Sequence, residues 1–227
     1  MGDGVLFDLA PALRAGLEAS GASVQEQPWF GFGLSTPGVR DWRKLWPALV
    51  ASVKPDVVVA FVGPWDLRPV TVAGVGPALV PGTDAWARWY TVQADAAVTA
   101  LSSSGARVVW LGPTPEAAPG TAGAVSAMAS VLERVAQDRG ATFVDARAAL
   151  GSSFRPLIAI MGDPLIRLYK PDGEHLCPEG AARLARIVLG PVAAVAPRRL
   201  YVNDSWVEGT WRSDPRYTVS AGIGGAC

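Results

Sequence analysis

The chain has 227 residues, half of them apolar, with 20 Lys and Arg against 20 Asp and Glu. That length holds one domain of ordinary size, or one domain with an appendage, and the apolar share is ample for a core. Balanced charge provides no basic stripe for nucleic acid and no acidic tail, and no stretch reaches the length of a membrane span.

Only Met1 precedes the turn Gly2-Asp3-Gly4. Val5 to Ser20 then reads as a helix, because Leu6, Leu9, Leu13 and Leu17 recur at spacings of three to four. Pro11 marks a bend or an early turn in it, and Gly21 ends it. Ala22 to Glu26 is a candidate short strand, followed by the glycine-aromatic loop Pro28-Trp29-Phe30-Gly31-Phe32-Gly33-Leu34-Ser35. Asp41 to Val53 is helical, with Trp42, Leu45, Trp46, Leu49 and Val53 on one face and Pro47 inside it. Asp56 to Val62 is a valine-rich run, as expected of a parallel strand buried on both faces. It leads to Gly63-Pro64-Trp65-Asp66, at the edge where open α/β sheets place their sites.

Leu67 to Thr83 is a Pro/Gly-rich loop, long enough to form a rim over such a site. Asp84 to Leu101 reads as a helix with Asp84 as its N-cap, Arg107 to Leu111 as a strand, and Gly123 to Arg139 as a further helix. Thr142 to Val144 is the last clear strand. Phe154 to Tyr169, broken by Gly162 and Pro164, reads as a loop or short helix, and Pro178 to Val195 as the final helix. This rhythm predicts a three-layer α/β/α domain over residues 1–197, built on a doubly wound parallel sheet. From Arg198 the texture changes: Tyr201, Trp206, Trp211 and Tyr217 alternate with polar residues and glycine. Residues 198–227 therefore read as an extended, β-like extension whose aromatics pack back on the domain, with the start of a second module as the alternative.

The single histidine, His175, lies in Lys170-Pro171-Asp172-Gly173-Glu174-His175-Leu176. The Pro-Asp-Gly turn can put Asp172 and His175 on one side of a loop, ahead of the helix that begins at Pro178. A carboxylate on one ring nitrogen fixes the tautomer and leaves the other nitrogen as a general base. The alternative is that both residues only cap the loop. One histidine and two cysteines argue against zinc, and no phosphate loop or nucleotide motif is present, so no cofactor is expected. Cys177 and Cys227 permit one disulfide, which would suit export; two free thiols, and a start without a signal-peptide pattern, would suit the cytoplasm.

Asp172-x-x-His175, the Gly2-Asp3-x turn and Gly63-Pro64-Trp65-Asp66 after a valine strand, in this order across residues 1 to 195, resemble the SGNH (GDSL-type) hydrolases. They are similar in particular to the envelope-associated SGNH domains of actinobacteria, which are often attached to membrane acyltransferases. The resemblance implies a serine esterase or O-acyltransferase acting on an acylated sugar or lipid of the cell envelope, without a cofactor. It also implies a first strand upstream of Gly2, and an upstream membrane acyltransferase domain or membrane anchor as a partner. Residue by residue, it implies His175 as the base, Asp172 as the group that orients it, and Gly4 at the nucleophile position. Gly33, with Gly31 as the alternative, falls where a backbone N–H faces the oxyanion. Gly63, Trp65 and Asp66 fall on the family's Gly-x-Asn-Asp, with Trp65 in place of the asparagine donor and Asp66 able equally to cap the loop.

Two departures bear on activity. Gly4 has no hydroxyl to attack with, and the Trp65 indole N–H is a larger, differently aimed donor than an asparagine amide. Three readings stay open: an SGNH domain inactivated by a Ser→Gly change, a natural relative that binds an acyl-sugar or a partner, and hydrolysis by water that His175 activates directly.

Overall fold

The computed structural model describes residues 1–35, 41–74, 76–159, 165–218 and 224–227. Its sheet is parallel, in the order β1 (Val57–Phe61), β2 (Arg107–Leu111), β3 (Thr142–Val144). Val57 pairs with Arg107 through to Phe61 with Leu111, and Val109 with Thr142 through to Leu111 with Val144. The sheet continues beyond β1 through Gly2, which bridges in parallel to Phe61 on one side and to Pro28 on the other. Phe61 N–H donates to the Met1 carbonyl at 3.0 Å, and Trp29 N–H to the Gly2 carbonyl at 2.7 Å. The strand expected at Ala22 to Glu26 does not form. A strand exists only where its backbone finds a partner along its length, and the pairing with Gly2 begins only after this segment, at Gln27 and Pro28. It borders a groove of about 640 Å³, with the start of β1 opposite and Leu13 and Leu17 among the lining residues.

Alternation along the strands sends side chains to two separate cores. Phe61, Val109, Leu111 and Val144 face α1 (Gly4–Ala19) and α6 (Pro178–Val195). Val58, Ala60, Val62, Val108 and Trp110 face the other layer, made by α2 (Trp42–Val53), α3 (Asp84–Ser102) and α4 (Thr121–Asp138). This is the three-layer α/β/α arrangement, with helices on both faces of a parallel sheet. The N-cap of α3 is Thr83 rather than Asp84: its hydroxyl accepts the Trp86 N–H at 3.3 Å. Asp84 is instead the first helical residue, where its charge faces the positive end of the helix.

Two further stretches differ from their expected form. After α5 (Arg147–Leu150), Phe154 to Tyr169 holds a short antiparallel pair, β4 (Leu157–Ile158) and β5 (Ile166–Arg167), rather than a loop or helix. Gly162 and Pro164 lie outside the described residues. Among its described residues the C-terminal extension is not β-like. It forms a 3₁₀ turn at Thr210–Ser213 and α7 (Pro215–Thr218), and it buries Trp206, Trp211 and Tyr217 in the same core as α1 and α6.

Pro11 explains part of this contact. It sits inside α1 without breaking it, but it lacks the N–H that would bond the Phe7 carbonyl one turn earlier. Arg216 Nη1 donates to that carbonyl instead, at 3.0 Å, and Tyr217 Oη donates to the next one, of Asp8, at 2.5 Å. The extension thus completes the hydrogen bonding of α1. No helix among the described residues is long and apolar enough to cross a membrane.

Candidate active site

The Lys170–Cys177 loop is held by the carboxylate in its own turn. Asp172 Oδ1 accepts the N–H groups of Glu174 and His175 at 3.1 and 3.0 Å, a local side-chain turn that tethers the backbone. Its Oδ2 then lies 2.6 Å from His175 Nδ1. Partial burial would raise the Asp172 pKa, but the imidazole and the two amides prevail and hold it down at about 2. With Asp172 ionised, Nδ1 carries the proton and Nε2 is the free base. Burial disfavours the imidazolium, but the charges of Asp172, Asp8 and Glu174 outweigh it and raise the His175 pKa.

A buried ion pair backs this loop. Lys170 Nζ lies 2.8 Å from Asp8 Oδ1, with both side chains inaccessible to solvent. Asp8 Oδ2 also accepts the Leu176 N–H at 3.2 Å, and Lys170 donates to the Arg216 carbonyl at 2.7 Å. Burial pushes the Asp8 carboxyl up to about 6, against the pull of Lys170.

Across the site, Asp3 caps α1. Its Oδ1 accepts the Val5 N–H at 3.0 Å and its Oδ2 the Gly63 N–H at 2.9 Å. Complete burial pushes its pKa up to about 8, against those amide bonds. The cap makes Gly4 the first residue of α1. Its N–H has no acceptor within the helix, and this end of a helix favours negative charge. A Cβ at Gly4 would lie 2.6 Å from His175 Nε2 and 3.4 Å from Phe30 Cδ1. The free base therefore stands directly over the position at which the SGNH resemblance places the nucleophile.

The other expected site residues divide into linings and struts. Trp65 is partly exposed; the Arg68 guanidinium carbon lies 4.0 Å from its ring centroid, and a Cβ at Gly31 would lie 3.6 Å from its Cζ2. Gly33 packs so tightly on Asp66 that a Cβ there would collide with Oδ1. Asp66 itself is fully buried and turned into the core. It accepts the Leu34 and Ser35 N–H groups at 2.9 and 2.7 Å, the Ser35 hydroxyl at 2.5 Å and the Tyr90 hydroxyl at 2.7 Å. Burial raises its pKa, opposed by these bonds. Asp66 thus holds the glycine loop from behind, and it commits the Ser35 hydroxyl. Gly63 is likewise committed, its N–H taken by Asp3.

Sequence reading passed over Thr114, Glu116, Tyr169 and Phe30. Burial, with the charge of Glu174 beside it, pushes the Glu116 carboxyl up to about 7. Glu116 Oε1, Thr114 Oγ1 and Tyr169 Oη are buried without a hydrogen-bond partner among the described residues. The loop that carries Glu116 joins the histidine loop through Ala117 N–H to the Gly173 carbonyl, at 3.3 Å. Thr114 and Glu116 follow β2 at the same sheet edge as Gly63, and that position was the available signal. Among the described residues no group of His, Cys, Asp and Glu could hold a metal ion.

The family model described as a protein of unknown function, DUF459, matches residues 1–191. The chain belongs to the DUF459 family. The DUF459 match ends inside α6, so the extension with Trp206, Trp211 and Tyr217 lies beyond it. Among solved structures, this DUF459 chain is similar to LAE5, an alpha/beta hydrolase enzyme from the metagenome of Lake Arreo, Spain. The TM-score is 0.57 and the identity 18%, over 84% of this chain and 81% of that one. A second similar structure is a protein provisionally named an SGNH hydrolase, from Slackia heliotrinireducens. Its TM-score is 0.54 and its identity 18%, over 84% of this chain and 95% of that one. At this identity the likeness is one of fold: an α/β domain of the SGNH hydrolase type. None of the curated proteins matches the sequence.

Proposed function

We propose that the chain is an SGNH hydrolase-like domain for ester hydrolysis or acyl transfer on a carbohydrate or lipid of the cell envelope, and that Gly4 leaves it without turnover in this form. The observation that carries this reading is that His175 Nε2 is the nearest atom to a Cβ built at Gly4, at 2.6 Å, so that the ring need only draw back slightly to face a side chain there. A hydroxyl at position 4 would attack an ester carbonyl while Nε2 took its proton, with Asp172 stabilising the imidazolium. The developing oxyanion would meet the Gly4 N–H at the start of α1. Without that hydroxyl there is a base and no nucleophile.

The rim suits a ligand with an acyl part and a hydroxylated part. Phe30 and Trp65 offer apolar surface, and the partly exposed Glu116 and Glu174 carry carboxylates that can accept from hydroxyls. The Cys177–Cys227 disulfide supports an oxidising location, either extracellular or in the envelope. An upstream membrane acyltransferase domain or anchor is part of this proposal, and nucleic acid is not.

A second reading is a non-catalytic module that binds an acyl-sugar or a partner. It is favoured by Phe30, 48% exposed beside Gly4, because binding needs no nucleophile. Turnover of p-nitrophenyl acetate by the unaltered chain, by Gly4→Ser and by Gly4→Ser with His175→Ala separates the two. Activity that appears with Gly4→Ser and disappears with His175→Ala supports the hydrolase reading. A folded but inert Gly4→Ser protein supports the binding module, and turnover by the unaltered chain that depends on His175 supports activated water.

A further inference from the structure

The dyad itself does not account for everything that surrounds the Asp172 carboxylate. Its side chain is 32% exposed, so rotation toward water would compete with the bond to His175. On its Oδ2 side, however, the C-terminus of the chain runs back over the loop. A Cβ at Gly224 would lie 2.6 Å from Asp172 Oδ2 and 3.0 Å from Lys170 Cδ, and one at Gly225 would lie 3.6 Å from Pro171 Cγ. Both glycines have positive φ, +80° and +86°, a backbone conformation that side chains disfavour.

This turn is tied down at its end. Cys227 is bonded to Cys177, two residues after His175 and at the N-cap of α6. The Cys227 N–H also donates to the Tyr217 carbonyl at 2.9 Å, and the Tyr217 hydroxyl reaches the Asp8 carbonyl. The disulfide therefore anchors the end of the chain at Cys177, where the histidine loop enters α6, with the Gly224 backbone against the Asp172 carboxylate.

We propose that the turn Gly224–Cys227 is a positioning element, which walls Asp172 against His175 for as long as the Cys177–Cys227 disulfide is intact. The dyad is then sensitive to redox conditions. A dithiol reduces the bond by thiol–disulfide exchange: the S–S bond breaks, Cys177 and Cys227 become thiols, and the dithiol closes to its own disulfide, so that two electrons and two protons pass to the protein. Once released, the turn no longer confines Asp172, and the carboxylate exchanges imidazole for water.

The test uses the single histidine, whose Hε1 proton gives one NMR resonance to titrate in the full chain. The charged or titratable groups that face its ring are Asp172 and Glu174 from its own loop and Asp8 from α1, the last held by Lys170. The oxidised protein should titrate above an ordinary histidine. Reduction with dithiothreitol, Cys227→Ser, and Gly224→Ala with the disulfide intact should each move the midpoint down, toward that of an Asp172→Asn control. Loss of stability alone would not move the midpoint of the folded protein. Superimposable titration curves for the oxidised and reduced folded chain would overturn the proposal. If reduction unfolds the chain, Gly224→Ala decides by itself: an unchanged midpoint there sinks the wall. The readout does not depend on turnover, so it stands apart from the hydrolase reading.

Discussion

The two sides of the site are built on opposite terms. The Lys170–Cys177 loop is braced by charge: Asp172 on His175, Asp8 on Lys170, and the extension behind both. The Gly2–Gly4 turn is braced by a single carboxylate, Asp3, which caps α1 and holds Gly63. Asp172 stays partly wet and its pKa falls to about 2, whereas Asp3 is sealed and its pKa rises to about 8. Environment alone separates the two aspartates. On the Asp3 side no structural duty falls on a side chain at position 4, so the fold tolerates glycine there.

The strongest challenge to that separation is Gly4→Ser. A folded, cooperative Gly4→Ser protein should hydrolyse p-nitrophenyl acetate, and adding His175→Ala should lower kcat by about 10²–10⁴-fold, the usual worth of a general base. The substitution should cost about 1–3 kcal/mol, since the new Cβ would stand 2.6 Å from His175 Nε2 and Asp172 holds that ring. A larger loss in urea unfolding would mean that position 4 is structural after all.

Next in size is Asp66→Ala. It strips the acceptor from two buried amides and two hydroxyls, and should cost about 3–5 kcal/mol in urea unfolding. A cost below about 1 kcal/mol would show that the glycine loop does not depend on its strut.

Arg216→Ala tests whether the extension belongs to the base side of the site. It leaves the Phe7 carbonyl opposite Pro11 without its donor and removes a 3.0 Å ion pair with Glu26. The expected loss is about 1–3 kcal/mol, read from the thermal midpoint, and no loss would make the extension a passive appendage.

The smallest effect is the pH dependence of the dyad. His175 has a raised pKa, so its contribution is full below the ordinary histidine value and is lost as pH rises through the folded value. Asp172 has a lowered pKa, so its contribution is present above the ordinary aspartate value and is lost as pH falls toward about 2. The pair should therefore help most between about pH 4 and pH 6.5. Because Asp172 is partly solvated, the gain should stay below about 1 kcal/mol. Melting curves of the wild type and Asp172→Asn should differ most in that window; parallel curves across it would deny the coupling.

Much of the architecture was legible in the sequence, because strand and helix periodicity report local burial. The valine run before Gly63, the strands at Arg107 and Thr142 and the helix from Pro178 needed only that. Asp172 and His175 were legible for the same reason: a Pro-Asp-Gly turn brings together two residues three apart. What tertiary structure decided was the role of every polar group whose partner is distant in the chain. Asp66 could line the pocket or brace the loop until folding set it behind Leu34 and Ser35. Lys170 and Asp8 are 162 residues apart, and Arg216 meets Phe7 across 209. No periodicity encodes such pairs. They form because burial strips water from each group, and the topology leaves one partner within reach to replace it.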